Sequence, residues 1–400
     1  MLKRAWFAFL YRNMARFAFH RVRASGAPVP QGGPVLYACL HRNGAIDGMV
    51  YRQVVPRARA TLSSQLRRRP WMRLIFDGIE LVRAKDREQD GARVDNAASF
   101  DRCVEHLAGG GQLMFFPEGT SELGPRHLKF HAGIALLVQA ALERLPALTV
   151  VPLAAHYEAA TEWQSDVDVE VGAAIVFTGR PRAAEIMRAV TRGLETVGLD
   201  CDTPEERAAT ETLAYAATLG QRDIAYARAL HAMHGASPAA WEALRAAART
   251  DGLRLHQGVP LVPTRRPALY LLPWLCLTPL LGAAAALNLP VLIAARLAPR
   301  RLADAPNVVA LWRTLAGVGT AYLWVPAMAA AGLFLGGWAA AAAYLGVSLA
   351  GLRAVYRWRK LSIALGNRRR LPPQRRRELL AAHAAIVAEA RRRIAAGGDA

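Results

Sequence analysis

The stretch Val35-Leu36-Tyr37-Ala38-Cys39-Leu40-His41-Arg42-Asn43-Gly44-Ala45-Ile46-Asp47 organises the chain. An apolar run rich in β-formers leads into a histidine, crosses a turn signal at Asn43-Gly44 and reaches a carboxylate placed to open a helix. That order predicts a strand, a turn and a helix, with His41 and Asp47 close enough to pair. A carboxylate on one imidazole nitrogen fixes the tautomer and stabilises the imidazolium, leaving the other nitrogen free to take a proton from a hydroxyl. His41 is thus a candidate general base and Asp47 its partner. A His beside an Asp is also a common surface or capping pair, so a second motif has to decide.

It comes at Leu113-Met114-Phe115-Phe116-Pro117-Glu118-Gly119-Thr120-Ser121, after the glycines 109–111. An apolar strand ending in Pro-Glu-Gly-Thr gathers a carboxylate, a flexible backbone and two hydroxyls at a strand terminus, where α/β folds bind ligands. Between the two motifs, helical and strand periods alternate. A helix runs through Tyr51, a strand spans 60–66, a helix spans 71–76, a strand leads to Arg83, and a helix covers 94–107. After them come a helix over 132–145 and strands over 149–157, with Val151-Pro152-Leu153, and 167–175. Alternation of this kind predicts an α/β layered domain with a mixed sheet flanked by helices.

These blocks resemble, in content and order, the glycerolipid acyltransferases, the family of glycerol-3-phosphate and 1-acylglycerol-3-phosphate (lysophosphatidate) acyltransferases. The likeness covers about the first 155 residues, and four blocks in order specify more than any one motif. It implies His41 as base and Asp47 as its partner, with Arg83, Glu118 and Gly119 shaping an acceptor phosphate site. Five residues separate His41 from Asp47 where four are usual, a spacing similar to the fungal-type glycerol-3-phosphate/dihydroxyacetone-phosphate branch, which also carries apolar C-terminal segments. Glu80 in the block ending at Arg83 stands where an apolar residue or proline is usual. A surface ion pair with Asp86 or Glu88 is the other reading of Arg83. Thr120 at the strand end and Lys129 in the following loop are further candidate substrate contacts.

Composition agrees with a protein that works at a membrane. Of 400 residues, 53% are hydrophobic, and the formal net charge is +20, carried mostly by arginine. Such a charge suits anionic membrane lipids, an acidic carrier or a phosphorylated substrate. Nucleic acid would suit it too, but no zinc-finger, basic-zipper or aromatic RNA-binding signature accompanies it, so no nucleic-acid partner is expected. Cys39, Cys103, Cys201 and Cys276 lack metal-like or paired spacing and read as reduced, mostly buried thiols. No metal or cofactor is implied.

Five regions follow from the pattern. Residues 1–23, aromatic and basic by turns, read as an amphipathic interfacial helix or equally as a helix packed on the domain. Residues 30–180 are the acyltransferase domain, and 181–266 a helical extension without chemistry of its own. Residues 267–353 hold two uncharged segments expected to be membrane-embedded. The first, 268–295, is broken by Pro273, Pro279, Asn288 and Pro290, so a re-entrant helix is as open as a clean span. The second, 314–352, is long enough to fold at Gly336-Gly337 into a helical hairpin. A first segment that dips and returns, followed by a hairpin, keeps every arginine-rich loop on one side, as the positive-inside rule prefers. Residues 354–400 form a basic cytoplasmic tail. The expectation is an integral membrane enzyme, its catalytic domain at the cytoplasmic face, that moves an acyl group from acyl-CoA or acyl-carrier protein to glycerol 3-phosphate or a lysophospholipid. With no Gly-x-Ser-x-Gly elbow in the chain, direct attack on the thioester is the expected route. A catalytically silent, membrane-anchored lipid-binding scaffold of the same fold is the alternative.

Overall fold

A computed structural model describes residues 2–67, 70–81, 96–264 and 266–396. The central strand is β2 (Val35–Cys39), buried along its whole length. Val35, Tyr37 and Cys39 enter the core on one face of the sheet, and Leu36 and Ala38, with Leu40 beyond them, the core on the other. This two-sided burial is why the run is continuously apolar. β2 pairs in parallel with β5 (Gln112–Phe115) and β6 (Ala147–Tyr157). Beyond β5 lie β3 (Arg59–Ser63) and β4 (Gly78–Leu81), also parallel. On the other side, β7 (Ser165–Val171) runs antiparallel to β6, and β1 (Phe19–Gly26) closes the edge parallel to β7.

The late strand expected over 167–175 is two strands, β7 and β8 (Ile175–Thr178), which lie end to end along one edge of β6. The break falls opposite Pro152, whose carbonyl accepts from Gly172 N. A strand residue points its N–H and C=O to the same edge, so the donor that proline lacks falls where the ladder is already interrupted. A proline can therefore sit inside a central strand.

α2 (Ile46–Val54) covers one face; α3 (Asn96–Ala108), α4 (Gly133–Leu142) and α5 (Ala183–Val197) cover the other. α1 (Leu2–Ala18) stops short of residue 23, because Phe19–Gly26 are taken up by the edge of the sheet. Phe7, Leu10, Tyr11, Met14 and Phe17 of α1 are buried in the core, whereas Leu2, Trp6 and Phe9 are exposed. The helix is thus docked on the domain and keeps an aromatic edge outside it.

The extension comprises α6 (Pro204–Thr218), α7 (Tyr226–Met233) and α8 (Ala239–Thr250), with a short hairpin of β9 (Leu255–His256) and β10 (Val259–Pro260). It shares a third core with the last helix, α12 (Pro373–Ala396), through Leu379, Ile386, Val387 and Ala390. The final helix is therefore seated on the extension along that apolar stripe, rather than trailing as a free tail. His231 of α7 and His156 of β6 both contact Glu170 Oε2 on β7, at 2.9 and 3.2 Å, and join extension to sheet.

Among the described residues, two helical stretches are long and apolar enough to cross a membrane. α9 (Ala268–Leu287) ends at Asn288, and α10 (Leu289–Leu302) leads back to the sheet domain, with Val291 and Ala295 in the core that holds Phe7 and Phe17. α11 (Val309–Arg370) leaves helical geometry at Gly336 and Gly337. Gly337 has φ +68, and a Cβ on Gly332 would lie 3.3 Å from Ala341 N, so the stretch folds back on itself as two arms. The second arm runs antiparallel to α9, tied by Trp274 to Ser362, Trp358 to Thr278, and Asn288 to Ser348 and Tyr344. Such side-chain hydrogen bonds hold helices together where no hydrophobic gain from water is available. Phe334, Leu335 and Trp338 at the tip are 90%, 82% and 80% exposed, an apolar end that asks for lipid.

Candidate functional site

β2 and β5 end side by side, so the residues that follow them converge at the carboxyl edge of the parallel strands. Leu40 N donates to Leu153 O and extends β2 by one rung. Tyr51 Oη on α2 donates to Leu40 O at 2.7 Å and fixes the backbone that delivers His41. Gly44 then takes φ +59, and a Cβ there would stand 2.8 Å from Asn307 O. Both the left-handed backbone and the close approach favour glycine at this position. The turn lets the five-residue spacing still return Asp47, in the first turn of α2, to His41.

The pair meets at 3.0 Å between His41 Nδ1 and Asp47 Oδ2. Asp47 is fully buried and saturated: Oδ2 also accepts from Asn43 N at 2.8 Å, and Oδ1 accepts from Tyr157 Oη in a short hydrogen bond. A carboxylate held this way cannot swing, so it fixes both ring orientation and tautomer. His41 Nε2 has no hydrogen bond among the described residues, and the Phe116 ring lies 4.5 Å from the imidazole. Tyr157 is a residue that local sequence reasoning missed. It lies 110 positions from Asp47 and only the β2–β6 pairing brings it there.

Glu118 is buried, and its carboxylate spans two loops: Oε2 accepts from His41 N at 2.5 Å and Oε1 from Leu128 N at 3.1 Å. Burial pushes its carboxyl up to about 7, partly offset by those two amides and by the nearby charges of His41 and Arg42. Its carboxylate oxygens are thus spent on positioning backbone. Gly119 has φ +67 and its N–H donates to Phe116 O at 3.1 Å, while Asn43 N is taken by Asp47. These two backbone amides, one at each turn, are therefore already engaged. Thr120 and Lys129 are exposed on the following loop, which is tied back by Leu128 N to Glu118 and His131 N to Pro117 O. Lys129 sits between the two tethers. Arg83, with the loop 84–87 and the start of the helix expected from 94, lies outside the described residues.

Arg42 was not singled out by sequence. It is buried, its Nη2 donates to Gly124 O at 2.8 Å, and its Nη1 has no acceptor among the described residues. Burial, and then the neighbouring Arg207, lower its guanidinium to about 10. A cation beside the His41 loop with an unspent donor supplies fixed positive potential there. Asn307, just before α11, donates to Ser121 O and Oγ at 2.7 and 2.9 Å, so the apolar helices are anchored directly to the loop that follows Glu118.

Among the described residues, two groups of side chains have donor atoms close enough to share a metal ion: His156 with Glu170 and His231, and Cys201 with Glu206 and His234. Neither includes His41 or Asp47, and the first is a hydrogen-bonded set as it stands. Cys39, Cys103 and Cys201 are buried free thiols and Cys276 an exposed one.

Residues 21–156 match the Acyltransferase family model. Glycerol-3-phosphate O-acyltransferase 1 of Saccharomyces cerevisiae is 26% identical over 136 residues, which is 30% of this chain and 18% of that protein. Glycerol-3-phosphate O-acyltransferase 2 of the same yeast is 30% identical over 104 residues, 26% of this chain and 14% of that protein. The matches thus span less than a fifth of either yeast protein. Among solved structures, the 1-acyl-sn-glycerophosphate acyltransferase PlsC of Thermotoga maritima aligns with a TM-score of 0.34 and 16% identity, covering 46% of this chain and 78% of that one.

Proposed function

Residues 21–156 form an acyltransferase-family domain, and from that premise we propose that the chain moves a fatty acyl group from a thioester to the hydroxyl of glycerol 3-phosphate or a lysophospholipid. The observation that carries this reading is the His41–Asp47 pair, with Asp47 buried and fixed by three donors while His41 Nε2 stays unengaged. Nε2 takes the hydroxyl proton as the alcohol oxygen attacks the thioester carbonyl; the thiolate leaves and the proton returns to it. A thioester is reactive enough for direct attack, so no acyl-enzyme is needed. Asp47 stabilises the imidazolium through Nδ1.

Arg83 and Lys129 are proposed contacts for the acceptor phosphate, to which Arg42 adds positive potential. Glu118 acts by positioning His41 and the 121–131 loop rather than by touching the phosphate. The names of the two yeast relatives favour glycerol 3-phosphate as acceptor. Acyl-CoA and acyl-carrier protein are both acidic and suit the basic surface as donors. The apolar α9 and α11 support a membrane-held domain, and the arginines that follow them favour its cytoplasmic face.

Purified protein in detergent or lipid, given an acyl thioester with glycerol 3-phosphate or lysophosphatidate in parallel, tests this directly. Transfer to one acceptor that vanishes in folded His41→Ala supports the reading and selects the substrate. Equal low rates from both proteins would leave a lipid-binding scaffold in its place.

A further inference from the structure

A cavity of about 770 Å³ opens beside the first residues of β1, between α9, the second arm of α11, α12 and the extension. Its wall is largely apolar, with Leu244, Leu261, Leu277, Leu361 and Leu379 among the lining. Its rim is basic: Arg21, Arg353, Arg357 and Lys360. Neighbouring basic side chains have acidic partners, Arg23 and His20 in Asp166 and Arg359 in Glu162. None of the four rim cations has a carboxylate within ion-pairing distance among the described residues. Arg353 donates to the Phe19 and His20 carbonyls, and Lys360 lies 5.3 and 4.9 Å from the ring centres of Tyr215 and Tyr356. Those contacts hold the cations in place without an ion pair; Glu158, bonded to the Tyr356 hydroxyl, and Asp166 act on Lys360 only through space.

Position and chemistry agree on the occupant. Arg353 is the first charge after the uncharged stretch 314–352, so the rim stands where a bilayer's headgroups would lie and the wall continues toward its acyl chains. The volume is that of a small-molecule site. Free phosphate would leave the leucine wall unused, and a lipid without net charge would leave the rim unmatched. We propose that this cavity binds one anionic phospholipid, its phosphate on Arg353, Arg357 and Lys360 and an acyl chain among the leucines. The site is separate from the catalytic one, since neither His41 nor Asp47 lines it.

The test uses the full chain, stripped of lipid in detergent and offered phosphatidylglycerol or phosphatidylcholine carrying a diazirine in the acyl chain. Photolysis and peptide mapping then locate the label. Phosphatidylglycerol should label peptides containing Leu277, Leu361 and Leu379 in preference to phosphatidylcholine. Arg357→Ala, at an exposed position, and Lys360→Gln should each weaken labelling about fivefold. Ala350→Trp, which fills the slot and changes no charge, should abolish it. Inorganic phosphate should not compete. Equal labelling by the two lipids, labelling unmoved by Ala350→Trp and Arg357→Ala, or displacement by phosphate alone would overturn the proposal. His41→Ala should label as wild type does, so this result stands or falls apart from acyl transfer.

Discussion

Asp47→Asn removes one charge and almost no volume, which makes it the sharpest probe of the proposed catalytic pair. The amide can keep its oxygen toward His41 Nδ1 and Asn43 N while its nitrogen faces the Tyr157 hydroxyl, which then accepts. Every hydrogen bond of the buried carboxylate thus has a counterpart, and the fold should survive. What is lost is the attraction between a carboxylate and the imidazolium that forms as the proton moves. At 3.0 Å and an effective dielectric of about 20 that attraction is about 5.5 kcal/mol. Fully expressed in the transition state it is worth about four decades of rate, and with the proton half transferred about two. The expected fall in kcat is therefore between about a hundredfold and ten-thousandfold, with KM for the acceptor little changed. Tyr157→Phe, which deletes one hydrogen bond to the same charge, should cost about 1.5–3 kcal/mol, or roughly ten- to hundredfold. Initial rates of thiol release from an acyl thioester, with thermal unfolding as the check on folding, measure both. A folded Asp47→Asn protein within threefold of wild type would refute the relay.

Other perturbations report on other parts of the structure. Glu118→Gln turns an amide nitrogen toward one of two backbone donors, so a loss of about 1–3 kcal/mol in denaturant unfolding is expected, together with slower turnover. His256 is pushed by burial, and by nearby Lys360 and Arg359, from the ordinary 6.5 to about 3, so the folded state holds it neutral. Its contribution to stability is full above pH 6.5 and is lost as pH falls toward 3; His256→Gln should flatten that part of a stability–pH curve. A Cβ on Gly351 would meet Ala284 at 2.3 Å, so Gly351→Leu should push α9 off α11 and cost about 1–3 kcal/mol, read as a lower Tm in detergent. Gly366 has nothing within 4 Å of its Cβ position, and Gly366→Ala should be neutral or stabilise by about 0.5–1 kcal/mol.

How much could be read beforehand depended on how local each cause was. Val35 to Leu40 read as a buried strand because both faces are covered and every residue had to be apolar. His41 and Asp47 were visible because the pair closes within one turn and one helix start. The helix expected through residue 23 failed for a nonlocal reason. Phe19 to Arg23 alternate aromatic, basic and apolar residues in a way either period tolerates, and pairing with β7, more than 140 positions away, decides for strand. The break between β7 and β8 likewise depends on Pro152 in a neighbouring strand. Glu118 drew attention by its motif, yet its contacts with two backbone amides follow from loops meeting in space. Tyr157 and Asn307 carried no local signal, since each acts on residues more than 100 positions away.

The reversal at Gly336 and Gly337 has a consequence for the membrane itself. From Arg353 to the turn the arm is about 24 Å long, short of the roughly 30 Å of bilayer hydrocarbon. A stretch that turns back in this way returns both arms to the side they came from, its tip about 24 Å deep and past the midplane of the hydrocarbon. The proposed acyl transfer, carried out by a domain held on one face by such a hairpin, would deposit its product in the monolayer it faces and leave the other as it was. Growth of the whole sheet would then be set by how fast lipid crosses to the far side, a step that belongs to other proteins.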